Sequence, residues 1–229
     1  MGASALPNER PRPHGRNKPR APSGRRGYQV RATQITRAWS LVTPVLTVDL
    51  EGCQRDRKSF VGSISICNEQ EQAVYDVYGD HGGFRTKDQF ITGLPPKSLN
   101  LGVDWADLNP KNGAKPIKEV LENVAKLFEG RTVVFHDYKS DRRMMDASSA
   151  MCGVQIPWDT VTVRDTQRFS GYQKYACGSN GPALKVLAQQ VLNIQGFQEN
   201  GHRSLTDAVA TYRLYAREKR AFEEEFGAS

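Results

Sequence analysis

The run Val45-Leu46-Thr47-Val48-Asp49-Leu50-Glu51 decides how the rest of the chain is read. Its apolar, β-prone start predicts a strand over Val45 to Leu50, which runs straight into acids. The two-residue period of a strand puts Asp49 and Glu51 on the same face, a few ångströms apart. Two carboxylates so placed at the end of a buried strand repel each other and resist desolvation unless a proton or a cation neutralises them. Hard oxygen ligands on a rigid strand suit Mg2+ or Mn2+. Taken alone, such a D-x-E run reads first as a strand that has ended, with both acids solvated in a loop.

Outward from this strand the pattern alternates between strands and helices, with no internal repeat. Phe60 to Cys67 predicts a second strand, with Phe60, Gly62, Ile64 and Ile66 on one face and Val61, Ser63 and Ser65 on the other. Ala73 to Tyr78 predicts a third, and the three together suggest an antiparallel meander. Gly79 to Leu101, carrying Gly82, Gly83, Gly93, Pro95 and Pro96, reads as a long loop. Pro116 opens a helix in which Ile117, Val120, Leu121, Val124, Leu127 and Phe128 form one apolar stripe, closed by Gly130. A short buried strand from Arg131 to Phe135 follows, then a helix from Tyr138 to about Ala150 and a strand from Thr160 to Val163. Helices over Pro182 to Leu192 and Ser204 to about Phe226 complete the pattern. Three strands followed by β-α units predict an α/β architecture, a mixed sheet covered by helices.

Composition bounds this reading. A chain of 229 residues is about one and a half average domains, and 38% hydrophobic with 25% charged residues allows a core and excludes a wholly disordered or collagen-like chain. No stretch approaches the roughly eighteen apolar residues of a membrane span, so no membrane association is expected. Cys53, Cys67, Cys152 and Cys177 contain no C-x-x-C pair, which argues against a zinc site or a dense disulfide framework and for an intracellular, reducing compartment.

The net charge of +7 is unevenly placed. Residues 1–37 hold nine Lys/Arg and one acid, Glu9, whereas 38–229 hold twenty-three basic and twenty-four acidic residues. Five prolines interleave with the arginines of 1–37, so this stretch predicts a disordered or extended basic tail preceding one folded domain over 38–229. Such a tail binds polyanions through counterion release or serves as a nuclear or nucleolar address; the plain alternative is a solubilising leader. No apolar h-region follows the charges, so a secretory signal is not expected. A mitochondrial leader suits the composition less well, because prolines prevent its amphipathic helix, and a cytoplasmic location is a further alternative.

Further acids follow in a telling order. Asp141 lies in the first turn of the helix that follows the strand ending at Phe135-His136, where it reads equally as an ordinary favourable acid at a helix N-terminus. His202-Arg203-Ser204-Leu205-Thr206-Asp207-Ala208 opens the last helix; Ser204 as N-cap with Asp207 as the acid of a capping box is a complete structural account of it. Each position alone has such an account. The combination, with acids and a histidine at a strand end and two helix starts, is a sharper pattern.

This ordered set resembles the DEDDh class of 3′→5′ exonucleases: Asp49-x-Glu51, then His136 with Asp141 five residues on, then His202 with Asp207 five residues on beside Ala208. The segments Leu101-Gly-Val-x-Trp105-x-Asp107-Leu108, Phe128-Glu-Gly130-Arg131, Val163-Arg-Asp165-Thr166, Leu184-Lys-Val-Leu187-Ala188 and Asp207-Ala-x-Ala210-x-x-x-Leu214-Tyr215 are similar to the branch containing RNA exonuclease 4 and interferon-stimulated exonucleases. The resemblance spans Pro44 to Glu218. It implies a ribonuclease H-like fold with a mixed five-stranded sheet whose first three strands are antiparallel. It also implies that Asp49, Glu51, Asp141 and Asp207 hold two divalent ions, Mg2+ or Mn2+, with His202 as general base. Two cations about 3.5–4 Å apart can activate an attacking water and stabilise a leaving 3′ oxygen, and a histidine can take up the water's proton at neutral pH. The implied reaction releases nucleoside 5′-monophosphates from the 3′ end of single-stranded RNA, as in rRNA processing.

Some positions depart from the branch. Where its members commonly read Asp-Cys-Glu-Met-Val-Gly, this chain reads Asp49-Leu50-Glu51-Gly52-Cys53, without the methionine expected against the terminal base. Phe135 replaces a glycine before His136 and reads as core or as a ring facing substrate. Asp165 is expected to be structural. Lys139, Arg142 and Arg143 flank Asp141; Arg142 and Arg143 are candidates for phosphate contact, although such charges on a helix are commonly only solvated. Two other readings stay open: a DNA 3′→5′ exonuclease with the same catalytic residues, and a non-catalytic ribonuclease H-like module that binds nucleic acid. No residue singled out here recognises a 2′-hydroxyl.

Overall fold

The computed structural model describes residues 39–55, 58–82, 103, 104, 106–199 and 201–227. The basic tail, most of the Gly79–Leu101 loop, and Leu101 and Trp105 of the similar segments lie outside the described residues. Strands β1 (Val45–Arg55), β2 (Lys58–Asn68) and β3 (Ala73–Asp80) form the expected antiparallel meander. A two-residue strand β4 (Lys115–Pro116) pairs parallel with β3 and leads into helix α1 (Ile117–Phe128). Strand β5 (Thr132–Phe135) lies parallel to β1, helix α2 (Tyr138–Cys152) follows, and β6 (Thr162–Asp165) lies parallel to β5. Helices α3 (Leu184–Gln190), α4 (Ser204–Arg217) and α5 (Lys219–Phe226) end the described chain. The sheet order is β4-β3-β2-β1-β5-β6. The five expected strands are its body; β4 adds a short parallel rung at one edge, where Pro116 has no N–H to carry the ladder on.

Both sheet faces are covered, because alternate residues of the central strands feed separate cores. Leu46, Val48 and Leu50 of β1, with Val133 and Phe135 of β5, pack against the apolar stripe of α1 and against Met144 and Met145 of α2. Val45 and Val134, from the opposite face, pack with Leu187, Leu214, Tyr215 and Phe222 of the later helices. All six stripe residues of α1 are buried, and each such side chain contributes roughly 1.5–3 kcal/mol on burial. Phe135 is fully buried, in contact with the rings of Phe128, Tyr138 and Trp158, which places it in the core. Cys53 and Cys67 are buried free thiols whose pKa burial pushes up to about 12, and no disulfide joins the four cysteines.

Three local expectations change. The alternation of β2 is broken by a bulge: Glu51 pairs with Ser63 but Gly52 pairs with Val61, so Gly62 is an extra residue. Val61 therefore joins Ile64 and Ile66 in the α1/α2 core, while Phe60 turns to Cys53, Val103 and Leu108. A side chain there would be crowded, since a Cβ on Gly62 would lie 3.1 Å from the Glu51 carbonyl oxygen and 3.1 Å from Val103. The long closing helix is two helices, broken at Glu218 (φ −118°, ψ 23°). The break lets Phe222 stack on Phe169 at 3.9 Å and Glu223 reach Arg164 of β6 at 2.6 Å and the Tyr215 hydroxyl at 2.7 Å. Ser204 is not a side-chain N-cap: Arg203 holds the cap position and the Ser204 hydroxyl is engaged with β2.

Replacing Phe135 by Ala is expected to cost about 3–5 kcal/mol of stability, the range for emptying a buried aromatic site. Urea unfolding monitored by Trp fluorescence measures it; a loss below about 1 kcal/mol would contradict the core assignment.

Candidate active site

Period-two alternation carries through β1, so Asp49 and Glu51 share the face covered by α4, opposite Leu46, Val48 and Leu50. Asp207, in the first turn of α4, is 2% exposed and Glu51 is 7% exposed. One ligand atom from each of Glu51, His202 and Asp207 lies within 4.8 Å of the other two, an arrangement able to hold a metal ion. His202 stands on the irregular approach to α4, with Nδ1 3.4 Å from Asp207 Oδ2 and 3.9 Å from Glu51 Oε1; its side chain is 44% exposed. Asp141, buried in the first turn of α2, and Asp49, half-buried on β1, lie outside this group of three and meet it through their charges.

The charges of these groups act on one another. Burial, then the charges of Asp141, Asp207 and Glu51, raise the Asp49 pKa well above the usual carboxylate range. Burial, then Asp137, Asp165 and Glu51, do the same to Asp141. Glu51 is pushed up to about 7 by burial, with His202 opposing and Asp207 adding to the shift. His202 is itself raised above the ordinary imidazole value, first by its hydrogen bond to Asp207. Glu51 Oε1, Asp141 Oδ2 and Asp207 Oδ1 are buried and have no hydrogen-bond partner among the described residues. Oxygens left so by the protein fit hard divalent cations, which supply the missing partner and the missing charge together.

Neighbouring residues station these side chains. Asp165, at the end of β6, accepts the backbone N–H groups of Asp137 and Tyr138 at 3.2 Å each and of Gln167 at 2.9 Å. It thereby fastens the start of α2, which carries Asp141, in the structural place expected for it. Asp137 caps α2 from a left-handed backbone (φ 69°). His136 points Nδ1 at the Thr166 hydroxyl, 2.8 Å away, and burial lowers its pKa to about 4, so it is a neutral structural group. On the far side, Ser65 donates to Asp76 at 2.7 Å and so accepts from the Ser204 hydroxyl, also at 2.7 Å. That relay ties the first residue of α4 to β2 and β3.

Two residues outside the sequence-derived set stand beside it. Gln198 donates through Nε2 to Asp207 Oδ2 at 2.8 Å and lies 3.2 Å from His202 Nδ1; no spacing rule marks it. Met144 of α2 faces Gly52, with its sulfur 3.0 Å from where a Cβ on Gly52 would stand. The space that a side chain at position 52 would enter is thus taken by a methionine from another element. Lys139, Arg142 and Arg143 are exposed on α2. Arg142 lies over the Trp158 ring at 5.2 Å, bonds the Tyr138 hydroxyl at 2.9 Å and pairs with Asp146 at 3.4 Å.

No family model matches the chain. Among curated proteins it is 31% identical over 180 residues to RNA exonuclease 4 of Aspergillus fumigatus, covering 76% of this chain and 49% of that protein. It is 38% identical over 172 residues to RNA exonuclease 4 of Gibberella zeae (72% and 45% covered) and 26% identical over 193 residues to the human RNA exonuclease 4 (82% and 39% covered). The chain spans about half the length of the curated relatives it matches, or less. Among solved structures, the Neurospora crassa Pan2 catalytic unit, with its protease and nuclease domains, matches with a TM-score of 0.54 at 20% identity, over 80% of this chain and 29% of that one. The Saccharomyces cerevisiae Pan2 pseudoubiquitin hydrolase and RNA exonuclease module in complex with AAUUAA RNA matches with a TM-score of 0.53 at 17% identity, over 80% and 31%. In sequence the chain therefore belongs with the RNA exonuclease 4 proteins, and in fold with the Pan2 nuclease structures.

Proposed function

We propose that this chain is a metal-dependent 3′→5′ exoribonuclease that removes nucleoside 5′-monophosphates from single-stranded RNA. The observation that carries this reading is the set of buried, unpartnered carboxylate oxygens of Glu51, Asp141 and Asp207 beside a half-exposed histidine. The kinship with RNA exonuclease 4 proteins supports RNA over DNA as the substrate. Asp49, Glu51, Asp141 and Asp207 would hold two divalent ions, Mg2+ or Mn2+. Bound there, the pair would supply Lewis-acid activation of the attacking water and charge stabilisation at the leaving 3′ oxygen.

The protein's own part follows from its geometry. Nδ1 of His202 faces Glu51 and Asp207, which leaves Nε2 as the ring nitrogen available to take a proton. The two carboxylates raise the basicity of the ring, which suits it to take a proton from water and hand it to solvent through its exposed edge. The buried acids on β1 and α4 keep their directions while this half-exposed side chain can turn. The basic residues 1–37 would add sequence-independent affinity for RNA and a nuclear or nucleolar address. Among the described residues no helix is long and apolar enough to cross a membrane.

Asp207→Asn is expected to abolish release of mononucleotides from 3′-labelled single-stranded RNA, since a neutral amide balances no charge and holds a divalent cation far more weakly than a carboxylate. EDTA should stop the parent chain, and Mg2+ or Mn2+ restore it. A fully active Asp207→Asn chain would overturn the assignment, and retardation of RNA in a gel without hydrolysis would favour a binding module. Parallel digestion of RNA and DNA oligonucleotides of one sequence should show faster loss of RNA. Equal rates would remove the RNA preference while leaving the chemistry.

The pKa shifts also set a sign for stability. Asp49, Glu51 and Asp141 bind protons more tightly folded than unfolded, where carboxyls titrate near 4. The folded state therefore holds more protons in the window from about pH 4 up through about 7, the value for Glu51, and stability falls as pH rises through it. His202, raised from its ordinary value, continues the same trend upward. Buried, neutral His136 acts oppositely below about pH 6.5, so in EDTA the melting temperature should fall from pH 6.5 to pH 8, and Mg2+ should raise it more at pH 8 than at pH 6.5. A metal-free melting temperature that climbs over this range would contradict the clustered-acid reading.

A further inference from the structure

Gln198 is the one residue outside the sequence-derived set that touches two of its members among the described hydrogen bonds. Its backbone is left-handed (φ 60°), a conformation disfavoured for a side chain of this kind by about 1 kcal/mol or more. The segment is pinned there by Phe197, buried at 4% exposure in the α3/α4/α5 core, and by turns in which Glu199 N–H donates to the Gly196 carbonyl and Gly201 N–H to the Gln198 carbonyl. With Phe197 locked into the core, its neighbour is directed to Asp207 and His202. The orientation of the amide is settled by chemistry: an ionised carboxylate only accepts, so the amide nitrogen must face Asp207 Oδ2, at 2.8 Å. Its second hydrogen is then available to His202 Nδ1, at 3.2 Å, whenever that nitrogen carries no proton.

The consequence for Asp207 is directional. One carboxylate oxygen is held by Gln198, and the other, Oδ1, is the buried atom left without a partner. Fixing the first oxygen fixes the rotamer that presents the second to the shared cluster. A donor behind a ligating carboxylate orients it ahead of cation binding, so that less ordering is needed when the cation arrives.

We propose that Gln198 is a positioning residue that preorganises Asp207 for divalent-cation binding. This rests on the metal-dependent reading above. Gln198→Ala and Gln198→Met both remove the donor, and the second keeps the chain length, so at least one should fold as the parent does. Mn2+ titration of the full chain by calorimetry should show roughly tenfold weaker binding in either variant. In turnover assays kcat at fixed metal should fall while KM for RNA stays unchanged, a split that general loosening of the fold would not produce. Parent binding with unaltered Mn2+ affinity in both variants would overturn this inference alone. A parent chain that binds no Mn2+ would overturn the metal reading, and the inference with it.

Discussion

The withdrawal from water of carboxylates that also repel one another is the constraint on which the rest of the structure depends. Asp49 and Glu51 come from β1, Asp141 from α2 and Asp207 from α4, and no single element could present all of them to one place. Burial first, and then the neighbouring charges, raise the proton affinity of Asp49, Glu51 and Asp141, a sign that ionising this cluster is unfavourable until something positive joins it. The scaffold must therefore be stiff enough to hold acids where they would not choose to sit. The two-faced core supplies that stiffness: every central strand is packed on both sides.

Holding the elements in register falls to polar groups beside the cluster. Asp165 spends its oxygens on three backbone amides and so anchors α2 to the end of β6. The Ser204, Ser65 and Asp76 relay does the corresponding task for α4, across the sheet face on which the acids lie. At the other end of α4 the break at Glu218 turns α5 back so that Glu223 clamps Arg164 and Tyr215. Both ends of the helix that carries Asp207 are thus tied to the sheet. Burial of one acid and exposure of its histidine neighbour on the same segment follow from where the helix begins.

Much of this was legible in the residues. The meander, the apolar stripe of α1 and the β-α alternation follow from periodicity, because strands and helices that bury one face must repeat every two or every three to four residues. The pairing of Asp49 with Glu51 on one face followed from the same rule. What escaped was local geometry that periodicity averages over. An extra glycine in β2 shifted Phe60 and Val61 to faces opposite those that strict alternation assigns. Ser204 had all the marks of a helix cap, but the nearby β2 serine competed for its hydroxyl. The end of the chain read as one helix because a break at Glu218 needs no Gly or Pro, only a partner such as Arg164 to turn toward. Gln198 carries no motif: its relevance comes from a left-handed backbone and a buried phenylalanine next door, neither of which is a pattern in sequence.

The bulge at Gly62 carries an implication for how this protein can change. Upstream of it β2 serves the small cluster around Phe60, and downstream it lines the acidic face through Ser63 and Ser65. The two halves of one strand are thus out of phase by a single residue. Loops in such a fold tolerate gain or loss of length, but deletion of one residue here would restore regular pleating and turn one half inside out. Insertions and deletions should therefore accumulate in the connections of this lineage and be purged from the middle of its second strand.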